Sequence, residues 1–513
     1  MPPVLVTGAI RDTNRGGTPG GGRIDLGPGA DRSVRKAAVE DVDATRAKEP
    51  PPTRPDRPAR PRLTLLVVAL GISAGPLDTS VNIAFPAITE AFDNDVSAIQ
   101  WVIICNVLTY AALMPGLGRL ADIVGHKRVF VAGLLWSAVA LVLCGLASSF
   151  GWLLAARVLQ GAGIAFLLSC GPALATLSFP ERDRSRVLGW YTTGFAAALM
   201  LGPIIGGTLV DLWGWPAVFW FRLPLVLIVA VLVVFLVPDP GHATPGEPFD
   251  LRGALGLGAT LAATLLALNQ GPHLGWAAVL VIAGAALVAV WFLRHELRTR
   301  HPVIDVRLFR IRRFAAANVA HVLMNLGSFT IFLLTPYYLV RVLGAGTAVA
   351  GLLLAASPLG MIVASPIAGH LLRFTGSFRL GVVGLALLGA ALCAIAMLPV
   401  EAGAAVLVAV LFAHGCGQGF FQVASIDFVM GSIPRSRQGV AGSINMVTRT
   451  VGVVTVASTG TLLFAALGGE SGGDEAFLYA YRMTFLAAAA IVILGIAVLG
   501  TVRAGPPRRP VSR

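Results

Sequence analysis

Charge is what this sequence has little of. Only 13% of its 513 residues are Asp, Glu, Lys or Arg, with 26 acids against 39 bases, whereas a soluble domain carries roughly 25%. Together with 56% hydrophobic residues and a mean hydropathy of +0.78, this excludes an ordinary water-soluble domain. So much apolar chain cannot be hidden in an aqueous core, and the composition is that of an all-α protein crossing a bilayer many times. Cysteine is also sparse. The five present (Cys105, Cys144, Cys170, Cys393 and Cys416) all lie inside apolar runs and none forms a C-x-x-C pair. That makes them small packing residues and argues against a disulfide framework or a thiolate metal site. There is no phosphate-cradling G-x-x-x-x-G-K-[ST] loop, so ATP-driven pumping has no support. No metal or cofactor site is expected.

The net charge of +13 would suit a nucleic-acid partner were it not for where the bases sit. Lys127 and Arg128; Arg182, Arg184 and Arg186; Arg298, Arg300, Arg307, Arg310, Arg312 and Arg313; and Arg435 and Arg437 fall in alternate short loops. The intervening loops are acidic or neutral: Glu90, Asp93 and Asp95; Glu401; Glu470, Asp474 and Glu475. Lys and Arg are retained on the cytoplasmic side of membranes. The pattern therefore predicts an even number of spans with both tails cytoplasmic, and no nucleic-acid role. Fourteen apolar stretches reach the length a bilayer needs, about 20 residues each. Their approximate limits are 63–88, 97–117, 128–147, 151–177, 187–210, 215–237, 251–270, 275–294, 314–340, 347–372, 379–399, 402–430, 438–467 and 478–502. Residues 1–62, rich in Pro, Gly and Arg, have too little apolar surface to repay ordering and are expected to form a disordered cytoplasmic tail. Residues 503–513 form a second tail.

An internal repeat organises the chain. Pro115, Gly118, Leu120, Gly125 and Arg128 recur as Pro366, Gly369, Leu371, Gly376 and Arg379, at a constant offset of 251. Both copies lie between apolar stretches, so the second and third correspond to the tenth and eleventh. A shift of eight implies two six-helix bundles, 63–237 and 314–502, flanking an inserted helix pair with its loop, 238–313. Twelve spans would satisfy the charge alternation equally well; the repeat selects fourteen. The acid is not duplicated, since Asp122 pairs with Arg373. Two related bundles around a midplane site is the architecture of alternating-access transporters.

The first copy of the repeat, Gly118-Arg-Leu-Ala-Asp122-Ile-Val-Gly125-His126-Lys127-Arg128, resembles the signature loop of the major facilitator superfamily. Four further groups resemble its 14-span drug:proton antiporter branch. They are Leu77-Asp78 through Asn82-Ile-Ala-Phe-Pro86; Arg157-x-x-Gln160-Gly161-Ala-Gly163; Gly202-Pro203-Ile-Ile-Gly206-Gly207; and His301-Pro-Val-Ile-Asp305 with Gly439 to Gly452. The chain departs from the branch in places. The first motif is one residue short after its acid, His126 stands where an arginine is usual, and the sixth stretch has Trp215-Pro216-Ala217 and Arg222 where Trp-Arg-Trp and Asn are usual. The resemblance implies a monomeric plasma-membrane antiporter that exports small amphipathic compounds against protons. The motif at Gly202, Pro203, Gly206 and Gly207 carries the implied direction. Gly118, Asp122, Gly125, His126, Lys127 and Arg128 would form a conformational latch. His126 would make that latch pH-sensitive unless Lys127 or Arg128 takes over.

Depth along the helices gives an independent expectation. At about 1.5 Å per residue, Asp78 lies roughly 22 Å in from one face. Arg157 lies roughly 9 Å from the other by the same rise, so in a core of about 30 Å the two share a level. An intramembrane acid is costly and usually functional. Asp78 with Arg157 is therefore either a proton-coupling pair or a fixed ion pair locking two helices. Asn82 and Gln160 lie on the same two helices. Asn318, His321 and Asn325 form a polar stripe on the ninth stretch. With Asn82, Gln160, and His414 and Gln418 on the twelfth, they are candidate substrate-cavity residues or interhelical bonds; Arg449 on the thirteenth is a further cavity candidate that could hold an anion, a helix C-terminus or an acid. Asp427 is a cap or partner for Arg435, or a second intramembrane acid, and His370 is a cytoplasmic-edge residue. His301-x-x-x-Asp305 also looks like an acyltransferase fragment, but no nucleophile is nearby and no enzyme is expected. Proton-coupled uptake of a metabolite, or a non-transporting membrane sensor, are the alternative functions.

Overall fold

The computed structural model describes residues 61–177, 184–237, 250–270, 277–299, 306–432, 438–470 and 473–502, all within one compact unit, Pro55–Arg513. The expected disordered tail up to residue 60, the tail 503–513, the His301–Asp305 stretch and Arg435 lie outside the described residues. Every apolar stretch of the sequence contributes helix, and no strand occurs among the described residues. Helix α1 is broken: Pro61–Ser73, a 3-10 turn Pro76–Thr79, Ser80–Ile83 and Phe85–Ala91. Then follow α2 (Gln100–Val124), α3 (His126–Gly145), α4 (Phe150–Leu177) and α5 (Arg184–Trp213). Next come α6 (Ala217–Trp220 and Arg222–Leu236), α7 (Leu251–Gln270) and α8 (Ala277–Arg298). Helix α9 runs Arg312–Ser328 and Thr330–Tyr337 into a π turn, Tyr338–Val342. Helices α10 and α11 are made of Thr347–Leu354 and Ala356–Met397, the latter divided at Gly376. The chain ends with α12 (Ala404–Ser432), α13 (Gln438–Ala466) and α14 (Asp474–Gly500). Among the described residues, twelve helices are long and apolar enough to cross a membrane. Helices α2, whose described apolar run stops at Met114, and α7 are not among the twelve.

The repeat is visible in the backbone. Gly125 (φ +108°) separates α2 from α3, and its counterpart Gly376 (φ +75°) separates α10 from α11. Both have left-handed φ, where a Cβ is strained. The segment expected to be a turn from Gly118 onward is instead helical as far as Val124. Leu120, Ala121, Ile123 and Val124 are competent helix residues, so only the glycine ends the helix.

The two halves meet along glycine seams. A Cβ on Gly202 would lie 2.1 Å from Thr79 Oγ1, and one on Gly206 would lie 2.7 Å from the Ser80 carbonyl oxygen. These two glycines let α5 sit directly on the broken part of α1. The next residue turns the same helix toward α10: a Cβ on Gly207 would lie 2.2 Å from the Thr347 carbonyl oxygen. Reciprocally, a Cβ on Gly351 would lie 2.0 Å from the Pro203 carbonyl oxygen. Small residues permit this backbone approach where lipid supplies no hydrophobic force between helices.

At the end carrying the α1–α2, α5–α6, α9–α10 and α13–α14 connections, polar contacts tie the halves together. The Asp211 carboxylate accepts the N–H of Thr347 (3.0 Å) and of Ala348 (2.8 Å), and also the Thr347 hydroxyl. It thus caps the start of α10 from across the interface, where the helix's exposed N–H groups favour an anion. The hydroxyls of Thr89 and Tyr337 lie 2.6 Å apart, and Ser97 N–H donates to Glu470 Oε1 at 2.5 Å. Burial raises the Glu470 carboxyl above its ordinary value; the Ser97 bonds oppose the shift and nearby Asp95 adds to it.

Helix α7 packs on α2, where a Cβ at Gly258 would lie 2.5 Å from the Ala112 Cβ, and on α13. His295 Nε2 of α8 pairs with Asp250 at the start of α7 (2.8 Å) and its ring stacks on Trp291. Asp250 also accepts the Gly253 N–H (2.8 Å).

Two outcomes are expected from this packing. Gly207→Val, which forces a side chain into the α10 backbone, lowers the unfolding midpoint of the detergent-solubilised protein; overpacking costs about 1–3 kcal/mol. Gly284→Ala, where nothing lies within 4 Å, leaves the midpoint unchanged or raises it. Because the folded Glu470 carboxyl titrates higher than its unfolded counterpart, its contribution is present at low pH and lost as pH rises above 4.5, the ordinary glutamate value. Glu470→Gln is expected to flatten that part of the profile of unfolding midpoint against pH.

Candidate functional site

Where α1 breaks, the 3-10 turn Pro76–Thr79 carries Asp78 into the interior of the helix bundle. Five side-chain donor contacts converge on its carboxylate. Arg157 of α4 approaches it in bidentate fashion, Nη1 to Oδ1 and Nη2 to Oδ2, both at 2.8 Å. Arg222 of α6 donates through Nη1 to Oδ1 at 2.9 Å. Gln160 Nε2 donates to Oδ1 at 2.9 Å and Asn106 Nδ2 of α2 to Oδ2 at 2.7 Å. A carboxylate offers about four lone-pair sites, so this one is saturated as an acceptor.

The partners are themselves fixed. Arg157 Nε donates to the Val102 carbonyl (2.9 Å), and its Nη1 also reaches Gln160 Oε1 (2.6 Å). Both guanidiniums lie beside the Phe219 ring, with Cζ at 6.0 Å for Arg157 and 5.7 Å for Arg222. The two arginine side chains are 3% and 1% exposed, whereas Asp78 keeps 17%. The acid is therefore the accessible member of the cluster. Bidentate guanidinium–carboxylate contact is both strong and directional, and here it joins α1, α2, α4 and α6 at one point.

The shared depth expected for Asp78 and Arg157 is realised as direct contact. Gln160 belongs to the same cluster; Asn82, one turn beyond Asp78, is buried. Nothing in the sequence marks Asn106 as a member of this cluster, and Arg222 stands out there only as a departure from the family pattern. A lone arginine in the apolar run of α6 was the available signal.

The candidates in the second half form two other groups. His321 of α9 lies 2.9 Å from Thr448 Oγ1 through Nδ1 and 3.4 Å from Gln422 Oε1 through Nε2, and stacks on Phe421. On the same helix, Asn325 Nδ2 donates to the His321 carbonyl and Asn318 Nδ2 to the Phe314 carbonyl. His414 is fully buried and contacts Ser328 Oγ through Nε2 (3.0 Å) and Ser357 Oγ through Nδ1 (2.9 Å), joining α9, α10 and α12. Gln418, one turn along α12, is half-buried. Arg449 is half-buried on α13, its Cζ 5.9 Å over the Phe195 ring of α5, and so touches the opposite half. Asp427 and His370 are exposed.

In the expected latch, Lys127 Nζ donates to the Val234 carbonyl at the end of α6 (2.9 Å). His126 is buried, Arg128 is exposed, and Gly118 faces Ser169 of α4. Asp122 belongs to the last turn of α2, and its side chain lies outside the described residues.

Removing the carboxylate leaves two buried guanidiniums uncompensated. Asp78→Ala should therefore destabilise the protein by about 3–5 kcal/mol, as breaking a buried pair does. The triple variant Asp78→Ala/Arg157→Leu/Arg222→Leu should recover part of that loss. Thermal unfolding in detergent measures both; equal midpoints for the single and triple variants would refute it.

Comparison with known proteins bears on identity. The Major Facilitator Superfamily model matches residues 64–457 and 317–513. The chain is 30% identical over 411 residues to multidrug resistance protein Stp of Mycobacterium tuberculosis, covering 79% of this chain and 75% of that protein. It is 25% identical over 447 residues to the riboflavin transporter RibZ of Clostridioides difficile, covering 85% and 96%. Among solved structures, the nucleoside transporter NupG superposes with a TM-score of 0.63 at 14% identity, covering 86% of this chain and 99% of that one. The chain is a multi-pass membrane transporter rather than an enzyme, and it belongs to the Major Facilitator Superfamily.

Proposed function

We propose that this protein is a proton-coupled antiporter that exports small amphipathic compounds across the plasma membrane by alternating access. It would have fourteen spans, two six-helix bundles with α7 and α8 inserted between them, both termini cytoplasmic, and act as a monomer. One observation carries the reading: a partly exposed carboxylate, Asp78, sits in a broken membrane helix and is held by two guanidiniums. Protonation removes the charge that attracts Arg157 and Arg222 and leaves the carboxyl with fewer acceptor sites. The cluster joining α1 to α4 and α6 is then weakened, and it re-forms on deprotonation. That is a two-state element which a proton can bias.

The neighbouring packing gives this switch a route to the interface. Thr79 and Ser80 follow Asp78 directly and bear on Gly202 and Gly206; Gly207 and Pro203 of the same helix bear on Thr347 and Gly351 of α10. A 3-10 segment inside a helix often marks a hinge. A change of pairing at Asp78 would be felt at the α5–α10 seam and at the Asp211 cap beyond it. With the termini cytoplasmic, that cap and the Thr89–Tyr337 and Ser97–Glu470 contacts lie at the outer face and close it. The buried polar residues Asn82, Asn318, His321 and Asn325, with Gln160 and Arg449, supply polar groups toward the cargo. The relative named for multidrug resistance supports export, whereas RibZ, named a riboflavin transporter, favours metabolite transport as a second reading.

The test is efflux of a fluorescent dye from cells expressing the protein, with and without a protonophore. The expected result is protonophore-sensitive efflux that falls at least tenfold in Asp78→Asn at an equal amount of membrane-inserted protein. Efflux indifferent to both treatments would remove proton coupling. Dye accumulation driven by the proton gradient would reverse the direction.

A further inference from the structure

The charges at the Asp78 cluster do not balance. Two guanidiniums, each charged at any physiological pH, share one carboxylate. Among the described residues, the other helices packed around it add no acid at this depth: Asp211 stands at the far end of α5 and Asp122 in the last turn of α2, and α3, α4 and α6 carry none. The surplus is one positive charge inside the bundle. Arg157 is fully used, with Nε on the Val102 carbonyl and both Nη atoms on Asp78. Arg222 is not. Its Nη1 reaches Asp78, but its Nε and Nη2 are buried and find no acceptor among the described residues. A fully enclosed guanidinium with two idle donors is costly in desolvation, and inside a membrane such a group is ordinarily there to be used.

The chemistry that satisfies it is specific. Nε and Nη2 form one edge of the guanidinium, a pair of parallel donors suited to two oxygens of one anionic group or to a single halide. Phe219 lies beside both guanidiniums. Arg449, over Phe195 on the facing half, adds a third cation and no acid. We infer that the free edge of Arg222 is an anion subsite, so that a monovalent anionic group binds next to Asp78 and compensates the cluster's surplus charge. The group is either the carboxylate of an acidic cargo or a free halide accompanying it. The inference rests on the central site being where cargo binds, and it makes that site selective for acidic over basic amphipathic compounds.

The test is a binding measurement on purified protein, independent of transport. Unfolding midpoint is followed during titration with sodium benzoate, and separately with sodium bromide, at fixed ionic strength balanced by sodium gluconate. The expected result is a saturable rise with at least one of them, with apparent affinity reduced at least tenfold in Arg222→Gln. Saturation by benzoate identifies a cargo carboxylate; saturation by bromide alone identifies a free halide. If Arg222→Gln does not fold, Asp78→Asn/Arg222→Gln, which removes one charge of each sign, takes its place. No saturable rise in the unaltered protein overturns the inference, as does an equal rise in the variant. Failure of proton coupling would instead appear as protonophore-insensitive efflux, with these titrations unchanged.

Discussion

A single carboxylate holds the first half of this transporter together where lipid can offer nothing. Placing an ionised group at the centre of a bilayer costs about 2.5–3.5 kcal/mol on insertion scales, and Asp78 meets that cost with contacts from Arg157, Arg222, Gln160 and Asn106. Those donors come from three different helices. One charge therefore joins α2, α4 and α6 to α1.

The glycine seam turns this local constraint into one between halves. Helix α5 lies between α1 and α10 because three of its glycines have no Cβ to hold either backbone away. Asp211 then fixes the end of the same helix onto the first N–H groups of α10. Close backbone contact is unforgiving: it is either made or broken, with little between. A seam of this kind suits a molecule that alternates between two arrangements better than one that flexes continuously.

Much of this was legible in the sequence, for identifiable reasons. Helical rise converts residue number into depth, and that sufficed to bring Asp78 and Arg157 to one level. The repeat offset carried Gly125 onto Gly376, and both have the left-handed backbone that only glycine adopts easily. What depth does not give is azimuth. Asn106 and Arg222 could not be assigned to Asp78 because nothing in their spacing says which way a helix faces. For the same reason His414 read equally well as a cavity residue or as the bond between α9, α10 and α12 where it lies. The break in α1 is signalled only by Gly75-Pro76 at the start of its 3-10 turn, because hydrophobic periodicity is blind to a local change of helix type. Asp211 was missed because a cap on another helix leaves no pattern in its own neighbourhood.

On the proposed reading, one proton on the Asp78 carboxylate decides whether two guanidiniums stay engaged. Infrared difference spectroscopy of the purified protein in lipid, recorded on acidification, reads this directly. The expected spectrum contains a carboxylic C=O band accompanied by a shift of the arginine guanidinium bands, both absent from Asp78→Asn. The same paired bands persisting in Asp78→Asn, or a carboxylic band with the guanidinium bands unmoved, would contradict it.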